Sequence, residues 1–375
     1  MTKFAKISLV AAVAVAGLTT ANAQPLEEAI KGVDVSGMMR YRYEATDAST
    51  GLNTESNDYR LDVKTSVKVN DIVKANVTTG ITQNNGGGSA KNAQTAYLTT
   101  EGADGSVNVA VRDANFAFAL PFATVIAGKQ SVPGPFVDNT VDDITRGTGV
   151  VALIPVGGLT LAAGTFNNTT LGGSDASEIA LMGNYSGVAF DLWAAKAVNA
   201  TTTGSHDAKL YSVHANTSVS GVNVDARYST KDTDDTTSDK LALTKVIAST
   251  KVAGFDVAVG YVQTAKSGAS SDNSIALDND NDAAVDAKIW QASMGALSDA
   301  SAVLASVGTN LMQNVDGKLT YINVDLSTGA TATETLADLS YAMSKNFVLS
   351  GKYSVYSVDD KSDATKARLE AKFTF

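Results

Sequence analysis

Val33-Asp34-Val35-Ser36-Gly37-Met38-Met39-Arg40-Tyr41-Arg42-Tyr43 is the stretch that decides the fold. Its odd positions carry Val33, Val35, Gly37, Met39, Tyr41 and Tyr43, and its even positions carry Asp34, Ser36, Arg40 and Arg42, with Met38 the exception. A period of two with one apolar and one polar face is a β-strand. The alternation returns at Tyr59, Leu61, Val63, Val67 and Val69, set against Asp58, Arg60, Asp62, Lys64 and Lys68. It recurs over 72–82, 107–120, 122–130, 158–167, 177–185, 187–197, 208–219, 222–231, 240–250, 253–264, 286–297, 333–343, 346–357 and 364–375, with shorter runs at 149–154, 300–309 and 317–327. Helical periodicity is nearly absent.

Strands of ten to twelve residues rise about 33 to 40 Å, and a tilt of about 40° brings them near the 25 Å apolar band of an outer-membrane barrel. Sandwich strands are usually about half as long. The sequence therefore reads as all-β, a transmembrane antiparallel β-barrel. Its connections alternate between short turns such as Asn70-Asp71 and Ser220-Gly221 and long polar loops such as 84–89, 231–240 and 267–286. An even strand number is needed if both termini share one side, yet the segments above are odd in number. The expectation is 18 strands, with 16 as the alternative and the Ile322, Val324, Leu326 alternation read as an external loop extension.

Lys3 and Lys6 precede an apolar run from Ile7 to Leu18, and Ala21-Asn22-Ala23 supplies small residues for a signal peptidase. Residues 1–23 read as a signal peptide cleaved after Ala23, and residues 24–375 as one barrel domain. The apolar run is too short for a bilayer-spanning helix. Its removal takes two lysines and no acid, so the formal charge of −10 for the 375 residues becomes −12. Such an acidic chain lacks the basic patch a nucleic-acid partner requires. No cysteine is present, which excludes disulfides and thiolate chemistry.

The chain ends with Ala367, Leu369, Ala371, Phe373 and Phe375 on one face and Lys366, Arg368, Glu370, Lys372 and Thr374 on the other. A terminal aromatic after such alternation looks like the signal read by the barrel assembly machinery.

Pro25-Leu26-Glu27-Glu28-Ala29-Ile30, Val125-Ile126-Ala127-Gly128-Lys129-Gln130, Gly147-Thr148-Gly149-Val150 and Gly158-Leu159-Thr160-Leu161-Ala162-Ala163, in this order and spacing, resemble the major outer membrane protein porins of the Campylobacter group. The resemblance is specific over 1–165 and elsewhere rests on barrel texture and the closing strand. It implies a general diffusion porin in the outer membrane of a Gram-negative bacterium, a homotrimer with 18 strands per subunit. It also points to an inward-folded loop near 131–149 carrying Asp138, Asp142, Asp143 and Arg146. Some members of that family hold calcium in the channel, and the resemblance does not carry those ligands onto particular residues here.

The polar face of a large barrel lines water, so Arg40, Arg42, Arg60, Lys64 and Lys68 read as a basic ladder on one wall. Facing acids on the inserted loop would set up a transverse field that orients dipolar solutes. These charges can equally be water-facing groups paired with one another. The negative net charge favours modest cation selectivity.

Asp278, Asp280 and Asp282 begin like an EF-hand, but Ala283 and Ile289 stand where glycine and glutamate are needed. His206 and His214 have no third metal ligand at suitable spacing and read as bystanders. No nucleophile elbow or phosphate loop is present, so no enzyme is expected. No cofactor is expected, with structural calcium left open. Tyr41, Tyr43, Tyr59, Trp193, Tyr228, Tyr261, Trp290, Tyr353 and Phe375 read as interfacial girdle residues in contact with outer-membrane lipids. The alternative function is a surface adhesin carried on a barrel platform. Intact-mass measurement of the exported protein should give an N-terminus at Gln24, and retention of Ala23 would overturn the cleavage assignment.

Overall fold

A computed structural model describes residues 32–47, 53–83, 98–99, 107–138, 144–170, 174–198, 207–234, 240–266, 274–277 and 282–375. The segment 1–31, which contains the proposed signal peptide, lies outside these residues. Eighteen long strands form one sheet: β1 (Val33–Asp47), β2 (Asn53–Lys68), β3 (Val73–Gln83), β4 (Val107–Leu120), β5 (Ala123–Ser131), β6 (Arg146–Val156), β7 (Leu159–Asn167), β8 (Asp175–Tyr185), β9 (Val188–Val198), β10 (Ala208–Val219), β11 (Val222–Thr233), β12 (Leu241–Val252), β13 (Phe255–Thr264), β14 (Ser301–Met312), β15 (Val315–Asp325), β16 (Thr331–Ser344), β17 (Phe347–Val358) and β18 (Ala364–Thr374). A two-residue piece, Leu98–Thr99, pairs beside β2 at Asp58 and Tyr59. Each long strand is antiparallel to its neighbour in sequence, and β1 pairs with β18 from Met38↔Thr374 to Asp47↔Thr365, so the sheet closes into a barrel.

The strands run from 9 to 16 residues. Even the shortest spans about 30 Å along its axis, enough for a tilted membrane crossing. Period-two patterning sets the two faces. Met39, Tyr41, Val150, Ile179, Val259 and Leu369 are exposed on the outside, whereas Met38, Arg40 and Arg42 are buried inside. Closure pairs every strand and so leaves no sheet edge in lipid.

Several hairpins turn at two residues that both have positive φ: Gly157-Gly158, Ser186-Gly187, Ser220-Gly221 and Ala253-Gly254. These are the turns whose twist matches that of the flanking strands. They lie on the short-turn rim, and the long connections lie at the opposite end.

The strand count is the expected 18, but the surplus segment is not the one suspected. Ile322 and Val324 belong to β15, which is paired along its whole length on both sides. Residues 286–297 form no long strand, only the isolated bridge Lys288↔Ser293. Their alternation is satisfied by side chains of the barrel wall. The expectation of a solvated loop over 267–286 is corrected in the same region: Ile275, Ala276 and Val285 are buried. Trp193 and Trp290 also leave the girdle. Leu192 is the exposed residue of its pair, and Trp193 packs inward against the buried cluster around Leu210 and Leu243. Tyr41, Tyr59, Tyr228, Tyr261 and Tyr353 are exposed on the outer face as expected.

At the seam the Gly37 N–H donates to the Phe375 carbonyl at 2.8 Å and the Phe375 N–H to Gly37 O at 3.1 Å. The Phe375 ring lies over Gly37, where a Cβ would come within 2.4 Å of both that ring and the Asp62 carbonyl oxygen. G37V should therefore destabilise the closed barrel by about 1–3 kcal/mol through overpacking. A lower temperature for loss of the compact, fast-migrating gel form is the expected result, and unchanged heat stability would show that the ring is not packed there.

Candidate functional site: the barrel interior

On the wall built by β18, β1, β2 and β4, charged side chains face inward in a paired array. Arg42 donates to Glu370 through Nε at 2.9 Å and Nη2 at 2.7 Å, and Arg40 Nε lies 3.7 Å from the same carboxylate. Arg60 Nε donates to Asp62 at 2.8 Å, and Arg112 Nε lies 2.9 Å from the other Asp62 oxygen. Glu44 holds Arg368 at 2.6 Å and Lys366 at 2.8 Å. The register of β3 against β4 shifts between Thr78 and Thr79, skipping Arg112. This bulge turns two successive side chains, Arg112 and Asp113, to the inside. Arg112 keeps the inward parity set by the exposed Val109 and Val111, and it is Asp113 that alternation alone would have turned outward.

Of the residues expected to form the basic ladder, Arg40, Arg42 and Arg60 are buried together on this wall. Lys64 is exposed. Lys68 lies at the short-turn rim, 57% exposed and 2.7 Å from Asp71, whose carboxyl this lysine holds below its usual range. Arg146 opens β6 and is buried, with Nε 3.1 Å from Asp113 and Nη1 donating to the Ile144 carbonyl at 3.1 Å. Asp138 is buried, and Asp142 and Asp143 lie outside the described residues.

The segment after β5 runs to residue 145, because β6 starts at Arg146. Within it Val132, Phe136 and Val137 are buried. Phe136 joins a cluster with Leu210, Leu243, Val262, Ile322 and Met294, which come from the inner faces of β10, β12, β13 and β15 and from the connection between β13 and β14. The two connections are bonded to one another: Leu277 N–H donates to Phe136 O at 2.8 Å and Val285 N–H to Pro135 O at 3.0 Å.

Charged groups of the wall grip the β13–β14 connection by its backbone. Lys231 Nζ donates to the Ser274 and Ala276 carbonyls at 2.9 and 3.0 Å, and Lys245 Nζ to those of Ala284 and Asp286 at 3.0 and 2.7 Å. Glu334, fully buried, accepts from the N–H groups of Gln291 at 3.0 Å and Ala292 at 2.7 Å and from Ser354 Oγ at 2.6 Å. Trp290 sits under the cations of Lys366 and Arg368, each about 5 Å from its ring. No spacing in the sequence singles out Glu334 or Lys231, since each is one polar residue on an inward face.

Nearer the short-turn end lies a cavity of about 850 Å³ lined by residues including Ser249, Asp256, Ser306, Asp316, Lys318 and Lys352. It is part of the polar inner face. Among the described residues no group of three or more His, Asp or Glu side chains is arranged to hold a metal ion. Of the EF-hand-like acids, Asp282 pairs with Lys288 at 3.0 Å, and Asp278, Asp280 and also His206 lie outside the described residues.

A family model described as "Campylobacter major outer membrane protein" matches residues 2–374. Among solved structures, Acinetobacter baumannii OccAB4 is similar at 12% identity and a TM-score of 0.68, over 92% of this chain and 98% of that one. Pseudomonas aeruginosa OpdO is similar at 12% identity and a TM-score of 0.71, over 92% and 97%. The outer membrane protein opdK of Pseudomonas aeruginosa gives 12% identity and a TM-score of 0.66, over 92% and 99%. No curated protein matches the chain.

Replacing Glu334 by alanine strands buried backbone donors, a loss of about 1–3 kcal/mol for each group left unpaired. E334A should expose the 282–300 connection to limited proteolysis in detergent, while an uncut connection would mean that Glu334 is not what holds it. Burial pushes the Asp286 carboxyl above its usual range, against the opposing bonds from Ser293 and Ala287. A raised acid binds its proton more tightly in the docked state, so docking strengthens below that raised value and weakens as pH rises through it. Proteolysis of the connection should therefore slow on acidification in the wild type, and D286N should lose that dependence.

Proposed function

The chain belongs to the Campylobacter major outer membrane protein family and is a porin of the Gram-negative outer membrane, and from that premise we propose that it is a general diffusion porin, passing small hydrophilic solutes and ions through a water-filled, modestly cation-selective channel. The observation that carries this reading is the polar inner face, with its opposed charges and open cavity, enclosed by a closed barrel with an apolar outside. Solutes cross by diffusion, and the protein's contribution is the width and charge of the path.

In this reading the segments 132–138, 274–277 and 282–300 narrow the path near the long-loop end, and Arg40, Arg42, Arg60, Lys64 and Lys68 supply its basic wall. Asp138, Asp142 and Asp143, with Arg146, lie at the constriction, and the acids account for the cation preference. Residues 1–23 direct export, Phe375 presents the last strand to the barrel assembly machinery, and the working form is a homotrimer in contact with outer-membrane lipids. A shallow hollow of about 640 Å³, where Ala152, Ala163, Ser177 and Ala194 face outward, gives a second copy room to seat.

Purified protein in planar bilayers should give stepwise currents, and loaded liposomes should swell in small sugars and not in large ones. Absence of steady current would overturn the reading in favour of an adhesin platform. Replacing Asp138, Asp142 and Asp143 together by asparagine should move the reversal potential toward anions, and an unchanged potential would remove these residues from the constriction.

A further inference from the structure

In a ring of 18 strands, β10 and β11 stand across the lumen from β1 and β2. On that far wall His214 of β10 occupies the middle of an inward-facing cluster. Its Nδ1 lies 2.5 Å from Asp191 of β9, and its Nε2 lies 2.8 Å from Asp225 of β11. Arg227 donates to the second Asp191 oxygen at 3.2 Å and to Ser212 Oγ at 2.9 Å, and Asn216 donates to Asp225 at 3.1 Å. Lys245 of β12 interacts with Asp225, Arg227 and Asp286, and its ammonium is spent on the carbonyls of the β13–β14 connection. These are the charged groups that face the imidazole from the strands beside it and from the connection above.

A neutral imidazole has one donor and one acceptor nitrogen, whereas both nitrogens here meet carboxylate oxygens. Only the imidazolium donates to both. Losing its proton turns a lone pair toward one aspartate and makes the wall more negative by one charge. That wall faces Arg40, Arg42, Arg60 and Arg112, so the proton on His214 changes the field across the lumen as well as the local charge. A lumen charge acts on permeating ions through the low-dielectric surround.

We propose that His214, clamped between Asp191 and Asp225, is a specificity-determining residue of the channel, its protonation setting how strongly the β9–β12 wall favours cations over anions. This inference rests on the porin reading. Loss of that proton takes one positive charge off the wall, so the channel becomes more cation-selective as pH rises. The cluster does this without moving a loop.

The test is the reversal potential of single channels in a potassium chloride gradient, taken from about pH 5 to about pH 9, for wild type and for H214Q. The wild-type ratio of potassium to chloride permeability should rise by about twofold or more from the acidic to the alkaline end of that series. H214Q should hold one ratio throughout, close to the wild-type alkaline value, with stepwise currents retained as evidence of a folded barrel. Superimposable pH profiles overturn the inference. If H214Q fails to conduct, H214N takes its place, and a wild-type-like profile in that variant overturns the inference equally. A wild-type protein that conducts with pH-independent selectivity overturns this inference alone, while one that passes no current overturns the porin reading together with it.

Discussion

Hydrocarbon offers backbone amides no hydrogen-bonding partner, and each one left unpaired in a bilayer costs several kcal/mol. That demand explains why the pairing runs around a full circle, with β1 bonded to β18 over ten residue pairs, and why period two governs both surfaces at once. One parity of each strand meets lipid and the other meets the lumen. A residue's place in the count therefore decides whether Tyr41 faces the membrane or Arg42 faces the pore.

Inside, the problem is reversed: charges are plentiful and must be matched. The arginines of β1, β2 and β4 find Glu370 and Asp62, and Arg368 finds Glu44. The wall's cations and carboxylates also grip the connection between β13 and β14 by its backbone groups rather than by its side chains. Lys231 and Lys245 take carbonyls, and Glu334 takes amides. This division lets the connection fill the mouth with alanine, isoleucine and methionine while its polar backbone stays satisfied, as buried polar groups must be. The result is an apolar packing cluster at one end of a channel whose other end is polar and open.

Most of the barrel was legible in the sequence because the two solvents on either side of each strand write opposite residue types at alternate positions. The rule fails where both parities are apolar, as around Leu192 and Trp193, since nothing then tells which side is lipid. It fails again at 286–297, where residues alternate as in a strand but the amides of Gln291 and Ala292 are taken by the Glu334 carboxylate instead of a neighbouring strand. Asp113 joins Arg112 inside because a bulge shifts the count by one. His214 was read as idle, since its partners Asp191 and Asp225 lie 23 and 11 residues away and meet it only through register. Distances along a chain do not reveal a row across strands.

The contact of Gly37 with Phe375 joins the first strand of the sheet to the residue that follows the last strand. No partial product can make it. Until β18 is in place, β1 has one side unsatisfied, and an exposed edge recruits other strands. Contacts this distant in sequence are also the slowest to form. Pairing of β18 with β1, fastened by Gly37 and Phe375, is thus the step that turns an open ribbon into a sealed ring.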